Sequence, residues 1–336
     1  MIRKIVKVIK ITCVFIVVLF LLEIILRLSS FRLNSIALQK ETGIDLGLLD
    51  AWHDENVFKL ATNGLFYELI PNDEYCINRD GYRGPIVARK RTLDVYRIMV
   101  LGDSTAFGAG VEWDETFIHI LDNMIERSHI FPVEYINAGV PGYTSLQGMR
   151  MFEQKYAQYK PDLVLTYFGH NDVNQIFPYA DKELRNVPPN FLKLYDMTSR
   201  VRVFRLINYF FIKYIIQKIL PLKQRVSAED YMHNLHAIAQ RAQQYGGQVR
   251  FIVPTVVDMG NGNSPHLIEK VEIKDKDAIH VHEYFMNGRW EWRDLFLDEC
   301  HPTKRGHQII AQAIYEHILR EDIFPQQLQN KKNRVA

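Results

Sequence analysis

A serine hydroxyl becomes a strong nucleophile only when a base takes its proton, and imidazole titrates in the right range to do so. Four short segments of this chain carry groups that could build such a site. Gly102-Asp103-Ser104 closes an apolar run and offers a hydroxyl. Asp298-Glu299-Cys300-His301 offers an imidazole, with a carboxylate three residues earlier that a turn could bring to the second ring nitrogen. Gly169-His170-Asn171-Asp172 offers Asn171, an uncharged side-chain donor suited to a developing oxyanion. The stretch from Asn137 to Thr144 contains Gly139 and Gly142, where bare backbone N–H groups can approach a ligand.

Each segment also has a plainer reading. Ser104 could sit in an N-capped turn, Gly142 in a strand-to-helix turn and Asn171 in an Asx turn. Asp298 could be a surface carboxylate beside a helix cap. His170 reads as structural rather than as the base, and His307 and His317 read as incidental residues of the last helix.

The elements between these segments follow a regular alternation. Arg97 to Leu101, Val133 to Ile136, Leu163 to Tyr167 and Val249 to Val253 read as short buried strands. Thr116 to Arg127, Ser145 to Tyr159, Ala228 to Tyr245 and Gly306 to Leu319 read as helices, the third ended by Gly246-Gly247. Strands alternating with helices imply a parallel sheet covered on both faces, with its site at the carboxyl ends of the strands. All four chemical segments fall at a strand end or just before a helix. Residues 173–227 break the alternation as a long insertion. Within it, Phe204 to Leu220 reads either as an amphipathic helix on a membrane surface or as a helical cap over the domain.

The four segments in this order resemble the blocks of the SGNH/GDSL hydrolases. The resemblance spans residues 95–322 and implies Ser104 as nucleophile, His301 as base and Asp298 as its orienter. It implies an oxyanion hole from the Ser104 N–H, the Gly142 N–H and the Asn171 side chain. It further implies a three-layer α/β/α, flavodoxin-like parallel sheet with neither cofactor nor metal. Thr105 departs from the family's namesake motif, which has Leu there. Residues 66–93, with Asn78-Arg79-Asp80-Gly81-Tyr82-Arg83-Gly84, more weakly resemble the lead-in of a membrane-anchored bacterial subgroup.

Ahead of this domain, Arg3, Lys4, Lys7 and Lys10 flank an uncharged run from Ile11 to Leu22. Ile5 to Leu26 reaches the roughly 20 residues a bilayer span needs if Lys7, Lys10 and Glu23 snorkel to the interfaces. The run reads as an uncleaved signal anchor. A cleaved signal peptide is the alternative, although Leu28-Ser29-Ser30 is a poor cleavage site. The basic flank predicts a single-pass membrane protein with its catalytic domain on the outer, periplasmic or extracellular side. The expected organisation is an anchor over residues 1–28, a juxtamembrane lead-in over 29–94, the hydrolase domain over 95–322 and a tail over 323–336.

A net charge of +2 over 336 residues gives no reason to expect nucleic acid as a partner. No phosphate-loop motif and no complete G-x-G-x-x-G is present, since Gly108-Ala109-Gly110 lacks the third glycine. Cys76 and Cys300 could pair in an oxidising compartment, and otherwise stand as two free thiols. The expected activity is hydrolysis of ester bonds through an acyl-enzyme, on O-acetyl groups of envelope glycans, with Tyr143, Trp290 and Trp292 as candidate sugar platforms. An O-acyltransferase, a lipid esterase and a non-catalytic glycan-binding or assembly scaffold are the alternatives.

Overall fold

In the computed structural model, residues 2–29, 56–61, 63–90, 95–128, 132–176, 180–183, 201–211, 222–260 and 264–324 are described, with isolated positions between 190 and 215. Helix α1 (Ile2–Leu28) precedes a hairpin of β1 (Phe58–Ala61) and β2 (Phe66–Leu69). The alternating region then runs through β3 (Tyr96–Gly102), α2 (Ser104–Phe107), α3 (Phe117–Ser128), β4 (Val133–Gly139), α4 (Ser145–Met151) and β5 (Leu163–Tyr167). The insertion is bounded by β6 (Gln175–Ile176) and β7 (Lys223–Gln224), which pair antiparallel, and it carries α5 (Arg202–Phe211). Next come α6 (Ala228–Gln243), β8 (Gln248–Val253), the hairpin of β9 (Thr255–Asp258) and β10 (His266–Glu269), then β11 (Ala278–His280) and α7 (Lys304–Arg320).

The central sheet is parallel throughout, in the order β4-β3-β5-β8-β11. Counted along the sheet's own strands this is 2-1-3-4-5, the flavodoxin-like order, whose switch point lies between the first and third strands. Here those strands are β3 and β5, which end just before Ser104 and Asn171. Because successive strand side chains point to opposite faces, Met99 and Leu101 enter one core while Ile98 and Val100 enter the other. Residues from α4 and α6 fill the first core, and residues from α3 and α7 fill the second. The expected three-layer α/β/α architecture is therefore present.

The lead-in is part of this packing. Leu65, Tyr67 and Tyr82 are fully buried in the same core as α4 and α6. The Arg83 backbone bridges to Asn137 on β4, the edge strand. Ser145 to Tyr159, expected as one helix, is an α-helix only to Met151. A wider turn over Phe152–Tyr156 and a tight one over Ala157–Tyr159 follow. Lys160, in the left-handed region at φ 47°, then ends the segment.

Helix α1 is long and apolar enough to cross a membrane or to serve as a signal sequence, and its side chains from Lys10 to Leu28 lie mostly outside the core. Helix α5 packs against it: the Val203 N–H donates to Glu23 Oε2 at 2.9 Å, and Arg202 donates to the Leu26 carbonyl. Most of the expected helix beyond Phe211, most of residues 29–55, and the tail from 325 lie outside the described residues.

Candidate functional site

Ser104 opens α2 directly off the end of β3. Asp103 caps the turn, its carboxylate accepting the Thr105 N–H at 2.9 Å. Helix α2 lies so close to the sheet that a Cβ on Gly102 would come within 2.4 Å of the Ala106 Cβ and 2.7 Å of the Tyr167 carbonyl oxygen. Only glycine lets the chain turn there. At the other end of α2, the buried Arg83 guanidinium donates to the Phe107 and Gly108 carbonyls at 2.9 Å and to the Val111 carbonyl at 3.0 Å. A lead-in residue thus supplies donors to carbonyls at and just beyond the end of this helix.

The imidazole beside Ser104 comes from the far end of the chain. His301 Nε2 lies 2.8 Å from Ser104 Oγ, and His301 Nδ1 lies 2.7 Å from Asp298 Oδ2. The other Asp298 oxygen accepts the Cys300 and His301 N–H groups, both at 2.9 Å, so the turn itself fixes the carboxylate. The Thr105 hydroxyl donates to the Cys300 carbonyl at 3.2 Å and ties the serine turn to the histidine turn. Helix α7, capped by Thr303, starts immediately beyond.

Electrostatics follow from this contact. Burial disfavours the charged imidazolium, but the hydrogen bond and negative charge of Asp298 outweigh it and raise the His301 pKa above its ordinary 6.5. Burial also acts against the Asp298 carboxylate. The His301 hydrogen bond and charge, with the two backbone N–H groups, outweigh it and hold the carboxyl well below its usual range. Asp103, fully buried beside the pair, is pushed up to about 7, chiefly by desolvation.

Gly142 and Asn171 sit on the two neighbouring strand-end loops. Gly142 has φ 80°, a conformation that disfavours any side chain, and a Cβ there would meet the Tyr67 hydroxyl at 2.5 Å. The Val140 N–H donates to the Gly102 carbonyl at 3.0 Å, anchoring this loop to the end of β3. Asn171 is buried, and its amide Nδ2 donates to the Tyr143 carbonyl at 3.0 Å, which holds the side chain against the Gly142 loop. Asp172 accepts the Ser145 N–H at 2.9 Å and the Ser145 hydroxyl at 2.5 Å, capping α4.

All five expected site residues therefore fall on adjoining loops at the carboxyl edge of the sheet. His301, and not His170, meets Ser104. His307 is a core residue: it accepts the Phe117 N–H at 3.3 Å, and burial pushes its pKa down to about 3. Tyr143 is fully buried, with its hydroxyl donating to the Tyr67 carbonyl, so it cannot serve as a sugar platform. Trp292 packs partly buried against the core, whereas Trp290 is 40% exposed with Arg305 over its ring. Cys76 and Cys300 are unpaired.

Among the described residues, one set of donors lies close enough together to hold a metal ion: Asp298, Cys300 and His301, within 4.8 Å of one another. Both nitrogens of His301 already face Ser104 and Asp298. Burial holds the Cys300 thiol far above its ordinary pKa, in the form that does not ligate metals. The donor set fits a proton relay better than a metal site.

Sequence reasoning missed the residues that brace these loops: Tyr67, Arg83, Asp181 and Arg225. They are single polar side chains in segments without periodicity, and their partners lie far away in the chain. The hydrophobic run around Tyr67 and the strong lead-in turn at Asn78 to Gly84 were the available signals.

A serine-bearing turn at the switch point of a 2-1-3-4-5 sheet, hydrogen-bonded to a histidine delivered just before the last helix, is the arrangement of a serine hydrolase on a flavodoxin-like scaffold. The chain belongs to the GDSL-like lipase/acylhydrolase family, whose model matches residues 100–309, and it is an SGNH-type ester hydrolase. No curated protein sequence matches it significantly. Similar solved structures include an acetylxylan esterase from Geobacillus stearothermophilus (13% identity, TM-score 0.42, covering 66% of this chain and 94% of that one). Another is a lipase/acylhydrolase from Enterococcus faecalis (17% identity, TM-score 0.42, covering 66% and 95%). The strand order and the family match define the fold.

Proposed function

We propose that Ser104 is the nucleophile of this ester hydrolase, with His301 as its base and Asp298 as the group that orients His301. The observation carrying this reading is the continuous relay of 2.8 Å and 2.7 Å from Ser104 Oγ through His301 to Asp298. His301 takes the Ser104 proton as Oγ attacks the ester carbonyl. The oxyanion is met by the Ser104 and Gly142 N–H groups and by the second N–H of the Asn171 amide. His301 then protonates the departing alcohol, and water releases the acyl group by the same steps.

The raised His301 pKa gives this mechanism a signed pH dependence. Imidazole must be neutral to accept the proton, so kcat/KM is expected to fall as pH drops through the free-enzyme pKa of His301. The midpoint of that acid limb should lie above 6.5, because Asp298 stabilises imidazolium. In Asp298→Asn the limb should move to lower pH, and kcat should drop by about 10⁴ as the ring loses its orienting acceptor. A pH–rate profile of both proteins checks this. An unmoved limb would remove Asp298 from the relay.

For the substrate we propose O-acyl, chiefly O-acetyl, esters of envelope glycans on the outer side of a membrane. The basic flank of α1 supports the orientation. Exposed Trp290, on the segment leading into Asp298, supports a sugar-stacking surface. One observation favours a second reading, a lipid ester: α5 lies against α1 and leaves Phe204, Ile207 and Phe210 exposed at helical spacing. Hydrolysis of an acetylated oligosaccharide, compared with a long-chain acyl ester in vesicles, separates the two. Preference for the oligosaccharide is expected, and preference for the vesicle ester would replace the glycan reading. Including an unacylated oligosaccharide as acceptor tests transfer against hydrolysis.

A further inference from the structure

The proposed oxyanion donor at Gly142 is a backbone N–H, and a backbone N–H is aimed only as well as its peptide plane is held. Two planes meet at Gly142. The Pro141–Gly142 plane carries the Gly142 N–H on one side and the Pro141 carbonyl on the other. In a planar trans peptide these two groups point in opposite directions. The Gly142–Tyr143 plane carries the Gly142 carbonyl. With no side chain and φ 80°, Gly142 has little local steric guidance of its own.

Both carbonyls are gripped from outside the loop. The Tyr67 hydroxyl donates to the Pro141 carbonyl at 2.8 Å. Arg225 Nη1 donates to the Gly142 carbonyl at 2.9 Å. Both gripping residues are packed into the core. Tyr67 is fully buried, its ring edge-on to Tyr143 at 5.3 Å between centroids. The Arg225 side chain is fully buried as well. Its Nε and Nη2 donate to the two Asp181 oxygens at 3.2 and 3.1 Å, and Nη2 also donates to Gln147 Oε1 at 3.0 Å. Asp181 in turn accepts the Thr144 hydroxyl at 2.8 Å, two residues beyond Gly142.

The geometry points to Tyr67 and Arg225 as positioning residues that aim the Gly142 N–H at the oxyanion, with Asp181 holding the Arg225 fork. Tyr67 comes from the lead-in, and Arg225 and Asp181 come from the two ends of the insertion. Segments that carry none of the reacting groups thus set the alignment of the hole. An off-axis donor still binds a planar ester carbonyl weakly, and its loss is felt only where charge develops. The two residues therefore bear on kcat and leave KM alone. This inference rests on the proposed roles of Ser104 and Gly142.

Tyr67→Phe is the direct test, because it removes one hydroxyl and keeps the ring in the core. Since deleting an oxyanion donor costs about 10²–10³ in kcat, misaiming one is expected to cost about tenfold, with KM within about twofold. Affinity for a trifluoromethyl ketone, which forms a tetrahedral oxyanion on the serine, should fall by the same factor. Arg225→Lys keeps a cation but loses the fork, and should show the same paired loss, with thermal unfolding measured alongside. Folded variants with unchanged kcat and unchanged ketone affinity would overturn the inference, as would a loss of thermal stability with no change in either. A fluorophosphonate adduct on wild-type Ser104 keeps the two levels apart. Ser104 labelled but Tyr67→Phe silent defeats only the positioning claim, whereas no Ser104 adduct on the folded protein defeats the reading beneath it.

Discussion

Ser104→Ala is expected to lower kcat by about 10⁶ on any ester the wild-type protein turns over. The residual rate, about 10³–10⁴ above the reaction in water, would come from substrate binding and the remaining oxyanion donors. The loss should appear in kcat and kcat/KM alike, because the missing bond forms only after substrate has bound. The fold should be little affected. Ser104 Oγ makes its hydrogen bond to His301, and one such bond contributes about 1 kcal/mol. The turn keeps its Asp103 cap, its Arg83 contacts and the glycine that lets it approach the sheet. Steady-state kinetics and thermal unfolding of the same preparation check both halves of this expectation. A variant that kept the wild-type rate would take Ser104 out of the chemistry.

His301→Ala should cost about as much as Ser104→Ala, and the double variant should be no worse than either single one. In the proposed relay the serine hydroxyl and the imidazole act as one unit, so removing the imidazole leaves an alcohol with an ordinary high pKa. Loss of the ring also leaves Asp298 with its two backbone donors and an approximately half-exposed side chain, so no buried charge is stranded. The variant is therefore expected to fold. Independent, multiplicative losses in the two single variants would show that the pair does not work as a relay.

The groups proposed to react are legible in the sequence because each lies on a short local pattern. Ser104 follows a buried strand, Asn171 follows another, and Asp298 and His301 share one turn. A local turn can be read from spacing, and the order of four such turns matches one family. The parallel sheet was legible for a related reason: strands buried on both faces are continuous apolar runs, as from Ile98 to Leu101. What escaped was everything held by long-range polar contact. The Tyr67 hydroxyl reaches Pro141 and the Arg225 guanidinium reaches Gly142, and nothing near either residue announces a partner so distant in the chain. The lead-in carries turn signals rather than a periodic pattern, so its share in the core is not announced, although Leu65, Tyr67 and Tyr82 are core residues. The extent of the second helix was also misjudged, since the apolar spacing from Ser145 to Tyr159 continues across a change of helix type.

The two ends of the insertion are fastened into the Gly142 loop through Asp181 and Arg225, while α5 lies against α1. The lead-in is fastened at Arg83 and Tyr67 in the same way. Two segments that a motif search leaves unassigned therefore brace the two loops on which the proposed nucleophile and oxyanion donor stand.

Activation of Ser104 by His301 can be read by covalent labelling with a fluorophosphonate, which reacts with an activated serine. The folded wild-type protein should gain the mass of one adduct per chain, mapped by peptide sequencing to Ser104. Labelling should vanish in Ser104→Ala and fall to near background in His301→Ala. Equal labelling of Ser104→Ala, an adduct on another residue, or no labelling of folded wild-type protein would show that Ser104 is not the activated nucleophile.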